Sequence, residues 1–224
     1  MSGKIKKTSA NKYTLRNPEF YNIWRRIFLY LVTSVFCMIR FKLVYRLEVE
    51  GKENIPKTSD FIVAANHLST LDPLLMCAIM PQGVAYMAKI ELFENPFMKW
   101  WLDWLGAFGV DRDKLGVSTI KTVKNLQQTN WVLGIFPQGT RQEAGKISNV
   151  TKGFAALAKT TKSNILPVGI TGTQEVHRFP FTGKIKVKIG ELIPCSDDVD
   201  GMVQKWGNAV QELTGFEYVE SEKE

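Results

Sequence analysis

Phe61-Ile62-Val63-Ala64-Ala65-Asn66-His67-Leu68-Ser69-Thr70-Leu71-Asp72-Pro73 is the stretch from which the fold can be read. Its first five residues are an unbroken apolar run of strand length, the signature of a strand buried on both faces. The run ends in a polar loop at Asn66. Asp72-Pro73 then opens an apolar helix over 71–80, with proline in the first turn, where its missing N–H costs nothing. Strand, short loop and helix in that order are the repeating unit of an α/β layer.

The same alternation continues on both sides. Residues 84–88, 131–136, 165–170 and 185–189 read as strands, and 43–49 (LVYRLEV) alternates enough to be another. Residues 91–105, 117–128, 152–161 and 199–213 read as helices, the first rich in aromatics and the second amphipathic. The expectation is a single α/β domain over 45–224, with a mixed, largely parallel sheet flanked by helices. Such sheets bind ligands beyond the strand ends, in the loops that lead into helices.

The chain has 224 residues and a formal charge of +7. That excess implies an anionic partner: nucleic acid, a membrane surface or a phosphorylated substrate. Its placement narrows the choice. Residues 1–50 hold ten basic and three acidic side chains, and the remainder holds nineteen of each. Within 1–44 the run Ile27–Ile39 is free of charge, preceded by Arg25 and Arg26 and followed by Arg40 and Lys42. Thirteen helical residues reach roughly 20 Å, against about 30 Å for a bilayer core. A spanning helix is therefore not expected, and no small-residue cleavage pattern marks a signal peptide. Two readings stay open: a helix lying in one leaflet with cations at the headgroups, or a core helix with polar ends. The first makes residues 1–44 a membrane-associated helical segment. No basic helix or recognition motif inside the domain supports nucleic acid.

Three cysteines, Cys37, Cys77 and Cys195, with no Cys-x-x-Cys pair, argue against a disulfide framework and for a reduced, cytosol-facing compartment. Two histidines without clustered ligands argue against zinc, and neither a metal nor a cofactor is expected.

His67 stands at a strand end, where an imidazole can take a proton near neutral pH. Asp72 is five residues on, which a straight helix would turn away from it. Pro73 disfavours the α region at Asp72, so the stretch should instead turn and can bring the carboxylate back to the ring. The plainer alternative makes Asp72 a helix cap and His67 a loop residue. Two further segments, Gly106–Arg112 and Phe136–Arg141, are glycine-bearing and end in arginine. Glycine permits close backbone approach, and arginine grips phosphate bidentately.

Taken in order, these segments resemble the glycerolipid acyltransferase family, the 1-acylglycerol-3-phosphate acyltransferases, over about 49–194. The residues that carry the likeness are Asn66-His67-x-x-x-x-Asp72-Pro73, Met87-Ala88-Lys89 with Glu91-Leu92-Phe93, Gly106 to Arg112, Phe136-Pro137-Gln138-Gly139-Thr140-Arg141, and Ile165-Leu166-Pro167-Val168. The resemblance implies that His67 is general base on the sn-2 hydroxyl of lysophosphatidic acid, which attacks a thioester on acyl-CoA or acyl carrier protein. Asp72 would orient His67, and Lys89 with a loop N–H would stabilise the oxyanion. Asn66, Arg112, Gln138, Gly139, Thr140 and Arg141 would bind substrate. Trp100, Trp101 and Trp104 would line an acyl channel or meet the interface. It also implies membrane association at the cytoplasmic face. Gln138 departs from the family's usual glutamate, which opens the acceptor to glycerol 3-phosphate or another lysolipid. Competing classes are a non-catalytic membrane-binding module and a hydrolase using Ser69, whose spacing from His67 suits a triad poorly. His177 has no partner pattern.

Overall fold

The computed structural model describes residues 13–33, 39–110, 116–175 and 184–220. Strands β1 (Glu48–Glu50), β2 (Phe61–Ala65), β3 (Gly83–Lys89), β4 (Phe108–Val110), β5 (Trp131–Ile135), β7 (Asn164–Thr171) and β8 (Lys186–Ile189) form one sheet, and β6 (Lys146–Ile147) pairs apart with β9 (Glu217–Tyr218). The helices are α1 (Ile23–Tyr30), α2 (Ile39–Leu43), α3 (Asp72–Ile79), α4 (Pro96–Trp104), α5 (Val117–Leu126), α6 (Gly153–Thr161) and α7 (Val199–Thr214). The sheet order is β1-β8-β7-β2-β5-β3-β4. Every pairing in it is parallel except β7 with β8.

All five residues of β2 are buried, because helices cover both faces. Ile62 and Ala64 pack with Phe154, Leu157 and Trp206 from α6 and α7. Phe61, Val63 and Ala65 pack with Leu75 and Met76 from α3. The strand period of two makes this division.

Central strands β2 and β5 are neighbours whose connections leave in opposite directions. β2 continues through α3 to β3, and β5 through α6 to β7. A crevice opens at the carboxyl ends of two strands so connected. The loops that leave there begin at Asn66 and Phe136.

Three sequence expectations change. Residues 43–47 are not strand. Phe41 and Tyr45 are both 2% exposed and four apart, a helical spacing that outweighs the alternation. The chain turns at Arg46, with φ +47°, and the strand starts at Glu48. The aromatic helix breaks in two, a 3₁₀ turn at Ile90–Phe93 and then α4. Pro96 cannot donate a helical hydrogen bond, and Asn95 caps the N–H groups of Phe97 and Met98. Phe108–Val110 forms an unforeseen edge strand.

Residues on the two sides of the expected boundary at 44 pack against each other. Tyr21 and Leu29 lie in the core with Trp131. Arg16 and Lys99 both pair with Asp103, and Arg25 donates to the carbonyls of Asp103 and Phe20. Arg26 donates to Pro81. Arg25 and Arg26 thus fasten α1 to the domain. The apolar run 27–39 is not one described helix: α1 ends at Tyr30, and 34–38, with Cys37, lie outside the described residues. Among the described residues no helix is long and apolar enough to cross a membrane.

Candidate active site

The loop after β2 folds back on itself. Asp72 is the first residue of α3 and is fully buried. Its Oδ2 accepts from the Leu68 and Ser69 N–H groups, both at 2.7 Å, and lies 2.8 Å from His67 Nδ1. Two backbone donors keep that oxygen an acceptor, so Nδ1 carries the proton toward it. Nε2 is then left with a free lone pair, as a general base requires. Thus Asp72 caps the loop and orients the ring with the same oxygen.

The loop after β5 holds the backbone of His67. Gln138, 4% exposed, accepts from the His67 N–H at 3.0 Å, and the Gln142 N–H donates to His67 O at 2.9 Å. Gln142 was not anticipated; nothing in its sequence setting distinguishes it. Asn66 does not face a substrate cavity as expected. Its amide receives the Ile170 N–H at 2.7 Å and donates to Ile170 O at 2.9 Å. Both polar ends are spent, and the residue ties the end of β2 to β7.

Phe136 stacks on the His67 ring, with centroids 4.1 Å apart, and Tyr86 stacks on Phe136 at 5.6 Å. His67 and Phe136 follow the ends of β2 and β5, and Tyr86 is within β3, so the three share one face of adjacent strands. Tyr86 pairs in register with Gly134, and a Cβ there would lie 2.5 Å from the Tyr86 ring. Glycine leaves the slot the ring occupies. Burial, with Cys77 and Asp72 adding, pushes the Tyr86 phenol well above its ordinary pKa, and its hydroxyl has no hydrogen-bond partner among the described residues.

His67, Phe136, Tyr86 and Met87 line two cavities. One, about 250 Å³, is apolar and runs between α3 and α4 past Leu74, Cys77, Leu102 and Leu105. The other, about 310 Å³, lies against Gly139, Thr151 and the start of α6. Thr140 and Arg141 are exposed on the loop just beyond Gly139. Lys89 is exposed at the end of β3 and lines neither cavity. Met87, two residues earlier on the same side of β3, lines both cavities, and Lys89 stands beyond it at the exposed strand end. Trp100, Trp101 and Trp104 line neither cavity; they surround Phe28 of α1 at 5.1–6.3 Å. Arg112 and His177 lie outside the described residues. Among the described residues no cluster of His, Cys, Asp and Glu could hold a metal.

A family model described as Acyltransferase matches residues 46–171, which hold this whole constellation. The chain belongs to the acyltransferase family. This acyltransferase is 33% identical over 167 residues to the 1-acyl-sn-glycerol-3-phosphate acyltransferase of Bacillus subtilis, covering 72% of this chain and 83% of that protein. It is 36% identical to the enzyme of that name from Streptococcus pneumoniae over 65% of this chain, and spans 54% of that protein. The crystal structure of the 1-acyl-sn-glycerophosphate (LPA) acyltransferase PlsC from Thermotoga maritima superposes with a TM-score of 0.67 at 30% identity, over 84% of this chain and 80% of that one.

Proposed function

We propose that this acyltransferase moves a fatty acyl group from a thioester, acyl-CoA or acyl carrier protein, to the sn-2 hydroxyl of lysophosphatidic acid, giving phosphatidic acid. The observation that carries the reading is the buried Asp72 carboxylate against His67 Nδ1 at 2.8 Å, in a histidine that lines two cavities. Nε2 takes the proton of the sn-2 hydroxyl as its oxygen attacks the thioester carbonyl. The imidazolium formed is stabilised by Asp72 and by the face of Phe136. The tetrahedral intermediate collapses, breaking the C–S bond, and the thiolate leaves with the proton from His67. No covalent acyl-enzyme is needed. The apolar cavity between α3 and α4 suits an acyl chain. Gly139, which lines the second cavity, and Thr140 and Arg141 beside it on the loop are the groups assigned to the acceptor phosphate. With no Lys or Arg among the described residues that line either cavity, backbone N–H groups are the oxyanion donors, in place of Lys89.

The enzyme works at the bilayer from its cytoplasmic side, as a peripheral protein. Ile23, Trp24, Tyr30 and Leu31 of the N-terminal segment, with Phe97 and Trp100 of α4, are large exposed apolar side chains. Trp favours the interface. Removing residues 1–44 is not a clean test, since Tyr21 and Leu29 are core; Trp24→Ser with Phe97→Ser should weaken vesicle flotation.

The test of the chemistry is acyl transfer from a labelled thioester by purified enzyme in mixed micelles. His67→Ala should lower kcat about 10²- to 10⁴-fold with the fold kept. Undiminished transfer would refute the mechanism. Transfer to glycerol 3-phosphate in preference to lysophosphatidic acid would reassign the acceptor.

A further inference from the structure

At the amino ends of β2, β3 and β5, the end of the sheet opposite His67, two further cavities meet. One, about 380 Å³, is an apolar trough between α1 and α3, lined by Ile23, Ile27, Tyr30 and Met80. The other, about 450 Å³, is lined by Arg26, Lys52, Lys57 and Asn130. Arg26, Pro81 and Gln82 belong to both, so the two are one amphipathic groove. Its basic end carries three cations and no carboxylate among the described lining residues. Neither Lys52 nor Lys57 makes an ion pair among the described residues. The acyl-transfer reading uses none of these groups.

Gln82 is 4% exposed. Its Nε2 donates to Pro56 O at 2.7 Å and Thr58 O at 3.1 Å, which fixes the amide. Its Oε1 is a buried acceptor without a protein partner, in a side chain that lines both halves of the groove. Buried acceptors are rarely left unmet. A ligand that joins the halves therefore needs an apolar tail, a phosphate and a hydroxyl donor beside it.

We propose that this groove is a second, non-catalytic lipid site that holds an anionic glycerophospholipid of the bilayer. The phosphate lies among Arg26, Lys52 and Lys57, a headgroup hydroxyl donates to Gln82 Oε1, and an acyl chain follows Ile23, Ile27 and Tyr30 out to the exposed face of α1. A soluble phosphate would use the cations but not the trough. The site rests on the membrane reading above and adds to it a fixed orientation. His67 and the cations lie at opposite ends of the sheet, while the trough and the apolar catalytic cavity both reach Cys77 of α3, so a lipid held in one sets where the other meets the bilayer.

The experiment is flotation of the full chain with phosphatidylcholine vesicles, with and without 30 mol % phosphatidylglycerol. Lys52→Glu/Lys57→Glu is compared with Lys121→Glu/Lys124→Glu, a pair of equal charge change on exposed positions of α5. Wild type and the α5 pair should bind the anionic vesicles at least tenfold more tightly than the neutral ones. The groove pair should lose that increment while floating with neutral vesicles as wild type does. Its transfer activity in detergent should stay within twofold. Equal loss in both pairs would mean diffuse attraction and overturn the site, as would a groove pair that behaves as wild type. Inorganic phosphate at millimolar concentration that stabilises the wild type but not the groove pair, with no phosphatidylglycerol increment, would make this a soluble-anion site and overturn the lipid assignment. Failure of wild type to float with either vesicle would sink the membrane reading itself.

Discussion

Asp72 Oδ2 takes three donors at once, from His67, Leu68 and Ser69. Hydrogen bonds to a charged group are each worth about 1.5–3 kcal/mol, so the loop cannot relax without breaking the orientation of His67. Gln138 plays the matching part for the backbone. Its role needs an acceptor and not a charge, which accounts for a neutral residue where the family usually has a carboxylate. Gln138→Glu should therefore keep transfer within about threefold of wild type. Gln138→Leu leaves the His67 N–H unmet, at a cost of about 1–3 kcal/mol, and should lower kcat roughly 10- to 100-fold by misplacing the base. Steady-state kinetics on the two variants checks this, and a Gln138→Leu enzyme as active as wild type would remove Gln138 from the site. The contact of His67 with Asp72 was legible because a strand end runs into a turn marked by Pro73, whereas Gln138 was expected at the substrate and its bond to the His67 backbone was not. Tyr86 was not: inside a strand, an aromatic residue reads the same whether it faces a helix or a catalytic ring.

At the scale of elements, the closing strand explains how an exposed loop is held. β9 follows α7 and pairs with β6. The N–H groups of Glu217 and Val219 donate to Gly145 and Ile147. The strap thus braces the segment that runs from Arg141 to Thr151, one side of the cavity at Gly139. Ending the chain at Gly215 should raise the KM for lysophosphatidic acid about tenfold, roughly the effect of a small displacement of positioning groups. The KM for the thioester should stay within about twofold. An equal rise in both would mean general loosening of the fold. Two-residue strands carry no periodic signal, so no reading of the sequence could pair β6 with β9. The same holds for α1, where the sequence showed cations flanking an apolar run. The fold spends Arg25 on carbonyls of Asp103 and Phe20, while Arg26 donates to the Pro81 carbonyl at the lining of the basic groove.

Across the whole molecule, burial of hydroxyls on aromatic rings sets a limit on alkaline stability. Burial pushes the Tyr21 phenol far above its usual value, with Arg16 and Arg25 pulling partly back, and Tyr86 is raised likewise. A raised pKa means that the folded chain holds these protons more tightly than the unfolded one. The stability they contribute is full below about pH 10, where free tyrosine ionises, and is lost as the pH rises above it. The chain has six tyrosines. Phenolate absorbance up to about pH 12 should show fewer than six of them while the circular dichroism is native, the rest appearing with unfolding. Six phenolates in a folded chain would contradict the buried placement of Tyr21 and Tyr86.

The amino-acid sequence by itself determined the alternation of strands and helices, the α/β class, and the residues at the ends of β2 and β5, because burial period and turn chemistry are local properties. It also located the charge excess in the first fifty residues. Only the tertiary structure decided what those residues do. The sheet order placed β2 beside β5, which brought Gln138 onto the backbone of His67 and piled Tyr86, Phe136 and His67 in one column. Lys89 stands exposed at the end of β3, outside both cavities, and packing on Asp103 turned Arg25 inward. Each depends on contacts between residues far apart in the chain, which no local pattern encodes.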